Sequence, residues 1–472
     1  MAALLRRNPL LSLKSASERL ASSIATTYDV LKESGDVGTL TQLKNGFNVA
    51  SYNNGRPVAT VGVWIEAGSA FENSDNNGVA NLFEHLLYTG TASRTTAQLQ
   101  TELAKIGARL KSFTTRDHTA YYAECLSGDV AKVVEIVADV MRNTKLELSK
   151  IEEQRSIVLQ KLEESDTDYR TTVMDNLHKT AFQGTPYSLA PLGSTQSLKK
   201  ITKQDIENFV DDTYKPARMV LTGVGGVDHQ QLSDLAEKYF GDLSNDYKRK
   251  IPLKGSVRFT GSEFLYRDDN YPLMYGAIAV EGVPRGDHDE IPLLVASTAV
   301  GQWDHSHASG INSPSQVVQK VYGNKELLYF ENFSINHYRA GLFGFYFVAK
   351  GDEDLELMQG IRKIQRHWKH LAYSVSNEEI DRAKNLLTTN LFTAFESNTR
   401  LADHFAGEVL SCGTMTPLHK LERKIHYAGA SSVREAMSRH VYDRDPANAG
   451  IGRTEAFPQY LIFRYGMSWW RL

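Results

Sequence analysis

At 472 residues the chain exceeds what a single hydrophobic core usually serves, so at least two cores are expected. Its 53 Lys and Arg against 56 Asp and Glu leave a formal charge of -3, a balance that offers nucleic acid no basic face. With 41% hydrophobic and 23% charged residues the composition is that of a globular protein, and no run of about 18 apolar residues exists to span a membrane. Only Cys125 and Cys412 occur, too few for a disulfide framework or a cysteine-rich metal site. Both are expected to be buried as small hydrophobes.

The chain opens with "MAALLRRNPLLSLKSASERLASSIATT", which has no acid before Glu18 and spaces Arg6, Arg7, Lys14 and Arg19 among leucines and serines. That bias is the one a mitochondrial transit peptide carries, and residues 1–35 are expected to be such a leader with a disordered lead-in. A plain basic tail is the alternative, since Pro9 interrupts any helix.

"VATVGVWIEAG" then alternates as a strand, and "ANLFEHLLYTGT" reads as a helix. On a helix, positions i and i+4 share a face, so two histidines at that spacing offer two imidazoles to one tetrahedral Zn²⁺. Here those positions are Asn81 and His85. Glu84 stands where a general base would deprotonate a zinc-bound water. The base is present and one of its metal ligands is not. For His85 the plain reading is a histidine packed in the interior and hydrogen-bonded.

Further on, "TAYYAECLSGDVAKVVEIVADVMRN" is a strand, a turn at Gly128-Asp129 and an amphipathic helix. "GLFGFYFVAKGDEDLELMQGIRKIQRHW" repeats that order around Gly351-Asp352, a shift of 223. "ITKQDIENFVDDTYKPARMVLTGVG" and "ASSVREAMSRHVYDRDPANAGIG" set Pro216 opposite Pro446, a shift of 230. The chain is therefore two homologous α+β domains, each with helices packed on a mostly antiparallel sheet, at 36–245 and 263–472. The charged, Gly- and Pro-broken stretch at 246–262 joins them, and the halves are expected to face one another across a cavity.

"LTGVGGVD" fits no phosphate-loop pattern and reads as a strand turning into the helix "HQQLSDLAEKYFG". Asp304, His305 and His307 sit among Gly, Ser and Asn, the composition of a solvated loop. The end, "FPQYLIFRYGMSWWRL", holds six aromatics. A terminus of this kind is expected to be covered by its own domain or by a partner, with Tyr465, Trp469 and Trp470 the candidates for partner contact.

"NNGVANLFEHLLYTGT" resembles the inverted zinc motif H-x-x-E-H of the pitrilysin-like family, in the form found in mitochondrial processing peptidase and its relatives. The resemblance implies a third ligand, a glutamate, on a helix like "IEEQRSIVLQKLEES". At the family's spacing, and by aligning "RSIVLQKLEE", that position falls on Lys161. Two of three ligands are then replaced, Asn81 for histidine and Lys161 for glutamate. An amide oxygen binds zinc feebly, and an ammonium repels it by several kcal/mol at an effective dielectric of about 20. No metal and no catalysis are expected, with Glu84 a vestigial base paired to Lys161. Glu164, one turn beyond Lys161, is the neighbour best placed to rescue a weak site.

Within the family, the degenerate motif and the ending resemble the core subunits of respiratory complex III, ubiquinol–cytochrome c reductase. That resemblance implies a structural subunit without cofactor on the matrix side of the mitochondrial inner membrane, held there through its partners. Those partners would be a second core subunit, whose pair of domains joins this chain's clam-like pair in a dimer of four repeated domains, with cytochrome b, cytochrome c1 and the iron–sulfur protein in a complex that is itself dimeric. The same resemblance leaves one alternative, a zinc endopeptidase that removes presequences.

Overall fold

The computed structural model of the chain describes residues 38–247, 257–307 and 310–469. The predicted leader, the middle of the predicted connection and Trp470 lie outside them.

The first half runs β1 (Thr39–Gln42), β2 (Asn48–Asn53), β3 (Val58–Ile65), α1 (Val79–Leu86), α2 (Thr96–Lys105), β4 (Arg109–Thr114), β5 (Thr119–Leu126), α3 (Val130–Asn143), α4 (Leu148–Ser165), α5 (Tyr169–Ala181), α6 (Thr195–Leu198), α7 (Lys203–Thr213), β6 (Met219–Gly225) and α8 (His229–Phe240). The second runs β7 (Glu263–Arg267), β8 (Met274–Glu281), α9 (Glu290–Val300), β9 (Gln302–Asp304), α10 (Gln316–Val321), β10 (Leu327–Asn336), β11 (Gly341–Ala349), α11 (Asp354–Tyr373), α12 (Asn377–Phe395), α13 (Asn398–Cys412), α14 (Leu418–Tyr427), α15 (Ala430–His440), β12 (Ala447–Gly452) and α16 (Tyr460–Tyr465).

Each half builds one six-stranded sheet, ordered β1-β2-β6-β3-β5-β4 and β7-β12-β8-β11-β10-β9. Both are antiparallel except for one pair, β2 with β6 and β7 with β12. The repeat read from the sequence is therefore a repeat of topology. β5 leads into α3 as β11 leads into α11, and Gly351 makes the second turn at a φ of 82°, open to glycine and strained for other residues.

Strand alternation decides what each sheet face meets. Ala59, Val61, Val63 and Ile65 of β3 face the helices of their own half, where they pack with Leu82, Val133, Ile136 and Ile206. Trp64, one position out of phase, lies on the other face with Tyr52, Tyr122 and Val220. That second face is covered by α13 of the other half, through Leu401, Ala402, Phe405 and Ala406. The exchange is mutual. Val173, Leu177 and Ala181 of α5 pack on Ala277, Ala279, Leu342 and Ala449 of the second sheet. The central strands of both sheets are thus buried on both faces, each with a helix donated by its neighbour on one of them.

The charged and aromatic groups Asp403, Trp64, His118, Asp117 and Tyr187 at the join are paired as burial requires. Asp403 of α13 accepts hydrogen bonds from Trp64 Nε1 and His118 Nε2, each at 3.0 Å. At the other contact His178 Nε2 lies 3.1 Å from His337 Nε2, whose Nδ1 meets Asp117 at 2.7 Å, and Tyr187 donates to the same carboxylate at 2.6 Å. The shared apolar clusters join the halves directly. A hollow of about 440 Å³ remains beside Arg116, Asp175, His178 and His337.

Candidate functional site

Helix α1 begins at Gly78, whose φ of 97° lets its N–H turn back onto Glu72. A side chain there would meet Leu198 at 2.9 Å as well as the strained backbone. Glu72 takes the orphan donors of the helix start, accepting from Gly78 N and Ala80 N at 2.8 Å each, and from Asn77 Nδ2 at 2.8 Å. Burial pushes this carboxyl up to about 7 even though those three bonds act in the opposite direction. Sequence reading missed Glu72, which lies outside the motif and acts only by holding the helix.

On α1, Asn81 and Glu84 are buried and His85 is half-buried. Glu84 accepts from Ser112 Oγ at 2.9 Å, Thr114 Oγ1 at 2.6 Å and Asn81 Nδ2 at 3.3 Å. Ser112 and Thr114 come from β4, where positions i and i+2 share a face. In sequence a polar pair at that spacing looks like a solvent-facing strand edge, so neither was singled out.

α4 packs against α1, and Lys161 on it is exposed. The expected ion pair between Lys161 and Glu84 does not form; the carboxylate is already supplied with donors. Glu164 does not come to the site either. It is exposed and accepts from Gln160 Nε2 at 2.9 Å along its own helix. His85 departs from the satisfied interior histidine that was expected, since its Nε2 and the Oδ1 of Asn81 have no hydrogen-bond partner. Burial holds the His85 imidazole below its ordinary value; the ammonium of Lys161 adds to that and Glu84 opposes it.

These groups do not fit a zinc ion. Of the three positions the resemblance assigns to ligands, only His85 offers a nitrogen lone pair; the amide of Asn81 turns its Nδ2 donor to the carboxylate of Glu84, and Lys161 brings a positive charge. Without a metal to polarise a water, Glu84 accepts hydrogen bonds from two hydroxyls and an amide, an arrangement that holds β4 against α1.

The other candidates separate cleanly. Asp304 closes β9 and accepts from Ser306 N at 2.8 Å, and His305 and His307 follow it into a turn. "LTGVGGVD" is the end of β6 turning into α8, as its pattern suggests. Cys125 is buried, but Cys412 is exposed at the end of α13, against the expectation for both, because the helix stops there at Gly413. In the last segment Phe457, Phe463 and Met467 are buried, whereas Leu461, Tyr465 and Trp469 are exposed at four-residue spacing. Lys369 places its ammonium 4.1 Å from the centre of the Trp469 ring.

Comparison with known proteins places this geometry. Residues 48–195 match the model of Insulinase (Peptidase family M16), and residues 200–387 match that of the Peptidase M16 inactive domain. The chain is 48% identical over 455 residues to cytochrome b-c1 complex subunit 1, mitochondrial, of Caenorhabditis elegans, covering 96% of each. It is 37% identical to the human protein of that name, over 99% of this chain and 96% of that one. Against the human mitochondrial-processing peptidase subunit beta the identity is 36%, over 98% and 93%. Among solved structures, a chain of complex III2 from Candida albicans with Inz-5 bound superposes with a TM-score of 0.80. It covers 91% of this chain and 99% of its own length at 23% identity, so the likeness there is one of fold. Matched in both halves and along nearly the whole length of its relatives, the chain belongs to peptidase family M16.

Proposed function

We propose that the chain is a core structural subunit of respiratory complex III in the mitochondrion, supporting the assembly and stability of the complex and doing no chemistry of its own. The observation that carries this reading is the site helix itself: α1 keeps the base Glu84 and one histidine, while an amide at 81 and an ammonium at 161 stand where ligands belong. The relative with the higher identity is a subunit of the cytochrome b-c1 complex rather than the peptidase. In this reading residues 1–35 are a transit peptide and the domains span 36–245 and 263–472. The chain sits on the matrix face of the inner membrane, and no helix among the described residues is long and apolar enough to cross it. It is therefore held by partners: a second core subunit, cytochrome b, cytochrome c1 and the iron–sulfur protein, in a dimeric complex. Leu461, Tyr465 and Trp469, with Trp470 beyond them, are offered as part of that contact.

Two measurements test the proposal. After mild detergent extraction the chain should migrate with the haem-staining complex on a native gel, and it should be absent from that band if the reading is wrong. The purified chain should leave a presequence peptide intact. Cleavage that disappears on Glu84→Gln would establish the peptidase alternative instead.

A further inference from the structure

A second cluster of ligand-type side chains lies in the other half, far in sequence from α1. His367 and His370 stand at i and i+3 on α11, and Glu379 reaches them from the first turn of α12. Glu379 Oε1 is 3.3 Å from His367 Nε2, and its Oε2 is 3.0 Å from His370 Nε2. The three ligand atoms all fall within 4.8 Å of one another.

Ordinary packing does not account for this cluster. His367 is 1% exposed, and neither of its ring nitrogens has a hydrogen-bond partner; Glu379 Oε1 has none either. A charge-assisted bond between His370 and Glu379 explains one edge of the triangle and leaves His367 unexplained. Burying an imidazole with both nitrogens unsatisfied is a cost to the fold that a bound ligand would relieve. Two further features are those of a metal site. Ser374 Oγ lies 2.8 Å from His370 Nδ1, the outer contact that orients a ligating imidazole so that Nε2 faces inward. In a tetrahedral zinc site with bonds near 2.0–2.1 Å, ligand atoms lie about 3.3–3.4 Å apart. Each imidazole meets the carboxylate at close to that distance, His367 on Oε1 and His370 on Oε2, and one ligand atom from each residue falls within 4.8 Å of the others.

We infer that His367, His370 and Glu379 form a binding site for a divalent transition ion of the zinc class, with one position left to water. Two neutral imidazoles and a carboxylate are a donor set that such ions take. Lys320 and Arg382 send positive charge toward His367 and weaken the site, so the affinity is set by the ligands against these two cations. His370 is only partly buried and gives the ion its way in.

The experiment loads the full-length, chelator-washed chain with Zn²⁺ alone, and in parallel with Co²⁺, whose visible bands report tetrahedral coordination. One ion per chain should survive gel filtration, and Glu379→Gln and His370→Gln should each weaken binding by more than about 10-fold, the least that loss even of an outer contact costs. His370→Gln, at the partly exposed position, should melt with the wild type, which separates lost binding from lost fold. His85→Ala should change nothing. Absence of bound ion, or binding that survives both variants, would overturn the site. Binding that follows His85 instead would overturn both this site and the non-catalytic reading of α1.

Discussion

The two halves share their strand order and donate equivalent helices to one another, yet they fill the first helix position differently. In the first half α1 buries Asn81 and Glu84. In the second, α9 buries Pro292, Leu293, Val295 and Val300 and has no ionisable residue after its first. A buried amide with an orphaned oxygen is a cost to the fold, so α1 bears a polar load that the topology does not require. What the halves hold in common is therefore the architecture, and what separates them is a buried polar helix in only one.

The shared part can be broken most forcefully at the exchanged helices. Phe405 of α13 and Leu177 of α5 are fully buried against the sheet of the other half. Phe405→Ala should cost about 3–5 kcal/mol and Leu177→Ala about 2–5 kcal/mol, from lost burial plus the cavity left behind. If each half leans on the other, calorimetry should show a single transition that both variants lower. Two transitions, with each variant moving only one, would refute the interlock.

A smaller effect distinguishes the two contacts from each other. The α13 contact is built on an anion, Asp403. The α5 contact is built on a neutral base, since burial, then the charges of Arg116 and His337, hold His178 well below its ordinary 6.5. Asp117 and Asp175 are the anions nearby, paired with His337 and Arg116. A base with a lowered folded pKa refuses the proton that the unfolded chain accepts. Its contribution is intact above the unfolded value, near 6.5, and is lost as the pH falls from there toward the folded value. His178→Gln should flatten the decline of melting temperature between neutral pH and pH 5, and an unchanged slope would assign the sensitivity elsewhere. His404, beside Asp403, is also lowered, to about 4, by burial and by Arg285, but its ring is partly exposed and its share is smaller.

How far the sequence reveals all this depends on the kind of signal. The strand-turn-helix units at Gly128 and Gly351 were legible because period-2 and period-3.6 patterns meet at a turn. The donation of α5 and α13 was not, because an apolar stripe shows that a helix face is covered without showing which sheet covers it. Asn81, Glu84 and His85 were found by helical spacing. Ser112 and Thr114 needed the knowledge that β4 runs past α1, and the cluster at His367 needed the approach of Glu379 from a separate helix.

Asn81 offers a sharper test of the polar load on α1. Asn81→Leu removes the orphaned oxygen and one weak donor to Glu84, which keeps its bonds from Ser112 and Thr114. Replacing an unsatisfied amide by an apolar group of similar size should be neutral or stabilising by about 1 kcal/mol. A clear fall in melting temperature would mean that Asn81 supports the fold.

The smallest expected change in stability belongs to Lys161, and it carries the most information about chemistry. The side chain is exposed and makes no ion pair with Glu84, so Lys161→Glu alone should alter stability within about 0.5 kcal/mol. Its charge nevertheless reaches His85, where it adds to the effect of burial on the imidazole. Reversing that charge while converting Asn81→His would supply two imidazoles and a carboxylate around α1, with Glu84 in place beside them. Measured in a His370→Gln background, so that the second cluster does not contribute, the double variant should hold zinc that neither single variant holds. A double variant that melts like the parent and still binds no zinc would show that α1 and α4 do not bring positions 81, 85 and 161 to the geometry of a zinc site.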